Sequence, residues 1–238
     1  MKVLIPIVIG LLVVGCGESA EERMAKEAAK LRATAEANRK ANPPPKGDAK
    51  PFLTEEESAD IIEGAIRHSI NKPTGELTKA DLEKVTELAF GGGLQFNVKG
   101  LEKLTQLEGL SIFQNQLTDV KGLEKLTQLK ELDLSVNQLS NVKDLEKLVN
   151  LQELNLADNQ LTDVKGLEKL TQLKYLDLGG NKLTDVKGLE KLTQLTELNL
   201  HGNELTDVKG LEKLTELTSL KLRANFDLTE TQIAELQK

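Results

Sequence analysis

One seven-residue phrase recurs every 22 residues along this chain, without insertion. Leu123-Glu124-Lys125-Leu126-Thr127-Gln128-Leu129 stands unchanged also at 101–107, 167–173 and 189–195, and recurs with small changes from Leu145 and Leu211. After each copy comes L-x-L: Leu110/Ile112, Leu132/Leu134, Leu154/Leu156, Leu176/Leu178, Leu198/Leu200 and Leu220/Leu222. Then comes an asparagine, at Asn115, Asn137, Asn159, Asn181, Asn203 and Asn225. L-x-L has period 2, so both large side chains of each short strand point to one side. One such unit cannot bury its apolar side alone. Stacking the units lays each strand parallel to the last and joins the leucine columns into one core. The asparagine follows the strand where the chain turns inward. Its amide offers two donors and an acceptor to backbone groups that no sheet pairs.

The L-x-L-x-x-N pattern with this period is identified as a leucine-rich-repeat signature. The run L-T-D-V-K-G-L resembles the repeats of internalins and related bacterial surface proteins. The resemblance implies an α/β solenoid with a curved parallel sheet, a buried asparagine ladder and non-catalytic binding of a protein or peptide. One period before Leu110/Ile112 stand Leu88 and Phe90, with Gly93 and Gln95 at the positions of Asn115 and Leu117. This is a degenerate first rung, which brings the expected sheet to about seven strands. The run Gly91-Gly92-Gly93 closes that rung; it lacks the Lys-Ser/Thr of a phosphate loop.

Framework positions barely vary between copies, whereas the residues flanking the inward leucines do. The varying columns predict a binding surface on the concave side of the sheet. It comprises Phe113, Glu131, Asp133, Glu153, Asn155, Tyr175, Asp177, Glu197, Asn199, His201, Lys221 and Arg223. Its middle is acidic and holds the chain's one tyrosine, and its C-terminal end is basic. A sheet about 29 Å long with about 15 Å of exposed strand offers roughly 450 Å². A standard interface needs about 800 Å² per partner, so a peptide or extended segment fits this face better than a large globular partner.

Helix-start signals bracket the array. Thr54 with Glu57 forms a capping-box pattern ahead of Ile62, Ile66 and Ile70. Thr78 with Asp81 and Thr229 with Gln232 repeat the arrangement. Open ends of a stacked array need such covers.

The first residues read as an address. A basic Met1-Lys2 precedes an apolar run of about a dozen residues, too short to span a membrane as a helix. It ends in Val13-Val14-Gly15-Cys16, and Cys16 is the only cysteine. This resembles a bacterial lipoprotein signal, which implies cleavage before Cys16, lipidation there, and a place in the cell envelope (the outer membrane where two membranes exist). The segment 18–41, rich in Ala, Glu, Lys and Arg, then reads as a solvated stalk, and the prolines from Pro43 to Pro51 as a stiff linker.

The expected organisation is a signal peptide over 1–15, stalk and linker over 16–51, and a helical cap with degenerate rung over 52–97. The repeats occupy 98–225 and a C-terminal helical cap 226–238. The net charge of −7 argues against nucleic acid, which binds clustered Lys and Arg. With two histidines and one cysteine, no transition-metal site is expected. Asp133, Asp158 and Asp177 supply oxygens for Ca²⁺ but sit in no D-x-D-x-D-G loop. His201 has no nucleophile beside it in sequence. The expectations are therefore no enzyme, no cofactor, and a monomer that binds a protein or peptide. The alternative is a structural spacer in the envelope.

Overall fold

The computed structural model describes residues 53–90 and 97–236. Cys16, the stalk, the proline linker and Gly91–Gln95 lie outside them.

Seven three-residue strands form one sheet: β1 (Glu87–Ala89), β2 (Gly109–Ser111), β3 (Glu131–Asp133), β4 (Glu153–Asn155), β5 (Tyr175–Asp177), β6 (Glu197–Asn199) and β7 (Ser219–Lys221). They pair in chain order, all parallel. The register is a shift of 22 at every step, so Leu88, Leu110, Leu132, Leu154, Leu176, Leu198 and Leu220 face one another across the sheet. All seven are buried, as are the second leucines of the strands and the three of each L-E-K-L-T-Q-L phrase. Each fully buried leucine is worth about 1.5–3 kcal/mol before chain ordering is set against it. This is a leucine-rich-repeat solenoid.

Behind the sheet the chain returns through single turns of 3₁₀ helix, such as Leu123–Lys125 and Leu189–Lys191. The charged residues that recur there serve the backbone. Asp119 Oδ1 accepts from the Lys121 N–H (3.1 Å) and Glu124 Oε2 from the Gly122 N–H (2.6 Å), and the pattern repeats at Asp163 and Glu168. One repeat departs. Asp144 stands where the others carry a left-handed glycine, and the 3₁₀ turn lengthens to Lys143–Lys147. This pushes Lys143 against the next repeat: a Cβ on Gly166 would lie 2.6 Å from Lys143 Cα and 2.8 Å from the Val142 carbonyl oxygen.

The asparagines are buried and bridge the rungs. Asn159 Nδ2 donates to the carbonyls of Leu134 (3.0 Å), Leu156 (3.1 Å) and Ala157 (3.2 Å), while its Oδ1 accepts from the Leu139 N–H (3.0 Å). Asn137, Asn181, Asn203 and Asn225 repeat this arrangement. Asn115 differs. Its Nδ2 reaches Phe90 (3.1 Å) and Phe113 (3.0 Å) carbonyls, but its buried Oδ1 has no hydrogen-bond partner among the described residues.

Helices meet the two ends. In α1 (Glu55–Ser69) the Thr54–Glu57 capping box is complete, and Glu55, Glu56 and Glu57 complement the positive helix start. Ile62 and Ile66 are buried in the common core, and Ser58 Oγ accepts from the Asn97 N–H (3.2 Å). The Thr78–Asp81 box opens only a single turn, α2 (Lys79–Leu82). Lys72 (2.6 Å), the Thr78 hydrogen bonds and Lys84 (3.2 Å) hold the Asp81 carboxyl well below the usual carboxylate range. At the other end Thr229 caps α3 (Glu230–Glu235) against Gln232, whose Nε2 donates to the Thr206 carbonyl (2.6 Å). Leu228, Ile233 and Leu236 pack on the last rung of the core. No helix among the described residues is long and apolar enough to cross a membrane.

Candidate functional site

The sheet has one buried face and one open face, and the strand alternation assigns the variable residues to the open one. They form three columns. The first runs Glu87, Gly109, Glu131, Glu153, Tyr175, Glu197, Ser219, in register across neighbouring strands. Glu87, Glu131, Glu153 and Glu197 are exposed, and Tyr175 is half-buried between Glu153 and Glu197. None of these four glutamates forms an ion pair among the described residues. Elsewhere the same 22-residue step does pair charges: Lys130 Nζ meets Glu108 at 2.7 Å, and Lys169, one residue further along, meets Glu146 at 2.7 Å.

The second column is Ser111, Asp133, Asn155, Asp177, Asn199 and Lys221. Its acidic and amide members share a structural duty. Asp133, Asn155, Asp177 and Asn199 each accept, through Oδ1, the N–H two residues on, at 2.8–3.1 Å. One oxygen of each is thus committed to closing its own strand end. Asp177 does more: it accepts Asn199 Nδ2 on both oxygens (3.0 Å each) and the Tyr175 hydroxyl (3.3 Å). Burial and the negative charges of Asp177, Glu197 and Asp133 push the Tyr175 hydroxyl up to about 12. This tyrosine is therefore a neutral donor in any physiological setting.

In the third column Phe113 is 42% exposed, and His201 and Arg223 are exposed, as is Lys221 beside them. The face is thus acidic over β3–β6 and basic at its C-terminal corner. The next residue of each full rung has positive φ: Gln114, Val136, Asp158, Gly180, Gly202 and Ala224 are all left-handed. A Cβ on Gly180 would fall on Asp158 Oδ1, so glycine there answers both the backbone and its neighbour. Burial, then Asp177, raises the Asp158 carboxyl above its ordinary value, with His201 opposing.

The structure thus places all twelve sequence-derived surface residues on or beside one face, and the six asparagines beneath it. Two further residues belong to the face. Glu87 extends the glutamate column to the first rung and lines, with Glu131, Glu153 and Tyr175, a shallow hollow of about 590 Å³ over β1–β5. Subtracting 22 from Gly109 locates it. Val136 is 43% exposed with φ +56, an outlier for a β-branched residue that no sequence signal marks. Among the described residues no group of His, Cys, Asp and Glu is disposed to hold a metal ion.

Comparison with known proteins agrees with this architecture. The profile of the family "Leucine Rich repeats (2 copies)" matches residues 105–147, 149–191 and 193–238, more than half of the chain. Among solved structures the chain is similar to internalin InlF of Listeria monocytogenes, at 29% identity and TM-score 0.55, covering 67% of this chain. It spans 54% of that protein's length. Internalin C2 of the same organism is 25% identical with TM-score 0.55, over 76% of this chain and 97% of the other. The functional domain of InlJ, also from Listeria monocytogenes, shares the fold at 24% identity and TM-score 0.56, over 65% and 33%. No curated protein matches significantly. The conserved period, the buried asparagine ladder and the family match lead to one assignment: the chain belongs to the leucine-rich-repeat family.

Proposed function

We propose that this chain is a non-catalytic protein- or peptide-binding module, displayed from a bacterial envelope by lipid on Cys16. The observation that carries the binding reading is the open sheet face. Its first column keeps Glu131, Glu153 and Glu197 exposed and unpaired around Tyr175, while the framework charges are spent on turns and on pairs such as Lys169–Glu146. Tyrosine gives large contact area at low entropy cost and is frequent among energetic anchors. The carboxylates around it favour a basic or amide-rich partner and make association salt-sensitive. The anchor reading is supported by the apolar run ending in Gly15-Cys16.

Two experiments test the two parts. Tyr175→Ala with Glu153→Ala should weaken retention of the natural partner from envelope or host extract with little change in thermal midpoint, whereas Lys169→Ala should do neither. Normal binding by the double variant, with loss in a convex lysine variant, would transfer the function to the opposite face and favour a scaffold. Separately, Cys16→Ser should move the protein out of the detergent phase on extraction. Unchanged partitioning would end the lipoprotein reading.

A further inference from the structure

The open face carries an electrostatic arrangement that the fold does not need. Glu131 and Glu153 stand directly opposite each other on adjacent strands, where like charges are destabilising. Cross-rung ion pairs are within the reach of this architecture, as Glu108–Lys130 and Glu146–Lys169 demonstrate. On the open face no such pair relieves Glu87, Glu131, Glu153 or Glu197 among the described residues. Water and salt screen these exposed carboxylates in the free protein, and a cationic partner would relieve them further.

The spacing of the column restricts the partner's form. Neighbouring rungs lie about 4.8 Å apart, so alternate rungs are separated by about 9.6 Å. Glu87, Glu131 and Tyr175 occupy the first, third and fifth rungs of one column, and Glu153 and Glu197 the fourth and sixth. A polyproline II helix repeats every three residues, about 9.3 Å. Laid across the strands, it slips only about 0.3 Å per turn against alternate rungs. An extended strand presents same-side residues about 6.7 Å apart, which matches neither one rung nor two. From Glu87 to Glu197 is five rung steps, about 24 Å, or roughly eight residues of polyproline II. The half-buried Tyr175 ring, its hydroxyl tied to Asp177, supplies the aromatic surface on which such segments settle at low entropy cost.

We propose that the ligand of this face is a basic polyproline II segment, with Lys or Arg at every third position, running across β1 to β6. The proposal rests on the open-face reading above and names its partner class. The test uses the full-length chain in detergent and two synthetic twelve-residue peptides of identical composition. One is a fourfold Lys-Pro-Pro repeat; the other has its four lysines consecutive, followed by the eight prolines. Calorimetric titration should show the repeat peptide binding about tenfold more tightly than the clustered one, with affinity falling as salt rises. Glu131→Gln with Glu153→Gln should weaken the repeat peptide about tenfold while leaving the thermal midpoint at or above the wild-type value. Equal affinity for the two peptides would overturn the spacing argument, and absence of saturable binding by the repeat would overturn the proposal entirely. In either case retention of the natural partner, and its loss in the Tyr175→Ala/Glu153→Ala protein, would leave the open-face function standing.

Discussion

Removing one asparagine amide from the middle of the ladder should cost far more than removing one from its start. In Asn159→Ala the Leu139 N–H loses its acceptor, and the Leu156 and Ala157 carbonyls each lose a donor. Each carbonyl keeps another donor: Leu134 has Asn137 Nδ2 (3.0 Å), Leu156 has Asn181 Nδ2 (3.0 Å) and Ala157 has the Val136 N–H (2.9 Å). The dominant loss is therefore one buried, unsatisfied N–H, about 1–3 kcal/mol, with a smaller share from the carbonyls, which have two lone pairs each. A total of about 2–4 kcal/mol follows. Asn115→Ala orphans no N–H among the described residues, because Asn115 Oδ1 accepts nothing there. It also abolishes an unpartnered buried oxygen, which offsets part of the lost donors. A cost of about 1 kcal/mol or less is expected. With a urea slope of about 2–3 kcal/mol/M, the midpoint should fall by about 1 M for Asn159→Ala and by a third of that or less for Asn115→Ala. Urea titrations followed by far-ultraviolet circular dichroism decide the matter. Equal shifts would refute the bookkeeping, and two shifts near zero would mean that the ladder carries no stability.

Tyr175, the only tyrosine in a chain without tryptophan, can be titrated by its own near-ultraviolet absorbance. It should ionise near pH 12 rather than near 10, and Asp177→Asn should bring the midpoint part of the way back. Because the folded value lies above the unfolded one, its contribution to stability is full below about pH 10 and is lost as pH climbs toward 12. Ionisation near 10 in the folded protein would remove both the burial and the Asp177 contact. Gly166→Ala and Gly122→Ala carry the same backbone strain, at φ +99 and +100, but only at Gly166 does the added methyl meet backbone at 2.6 Å. Thermal melts should show Gly166→Ala the worse by about 1–3 kcal/mol, and equal losses would refute the close approach.

The sheet, its register and the inward leucines were legible because a fixed period of 22 converts spacing directly into stacking. The helix starts were legible because each is a Thr paired with Glu, Asp or Gln three residues on. The second column was harder. Asp133, Asn155, Asp177 and Asn199 differ as residues, and sequence variation there reads as recognition. In the structure they interchange because an Asp or an Asn oxygen accepts the same N–H two residues on. The glutamates of the first column have no such duty, so nothing in the fold accounts for the variation there. Glu87 escaped because the degenerate rung was recognised by its apolar residues alone. The left-handed Val136 had no signal at all, since its conformation is imposed by the turn that five of its counterparts share.

The lengthened turn at Lys143–Lys147 bears on how such an array grows. Units of 22 residues without insertions invite duplication and loss by unequal recombination, since any unit offers its neighbour the same surfaces. The unit containing Asp144 breaks that equivalence in one direction. It accepts any successor with glycine at the position of Gly166, and the other repeats that carry the left-handed residue there, Gly100, Gly122, Gly188 and Gly210, all comply. It does not accept a side chain on a backbone shaped like that of Gly166, because a Cβ there falls onto the Lys143 backbone. The tract can therefore lengthen around this unit, provided that an ordinary repeat placed behind it keeps its left-handed glycine.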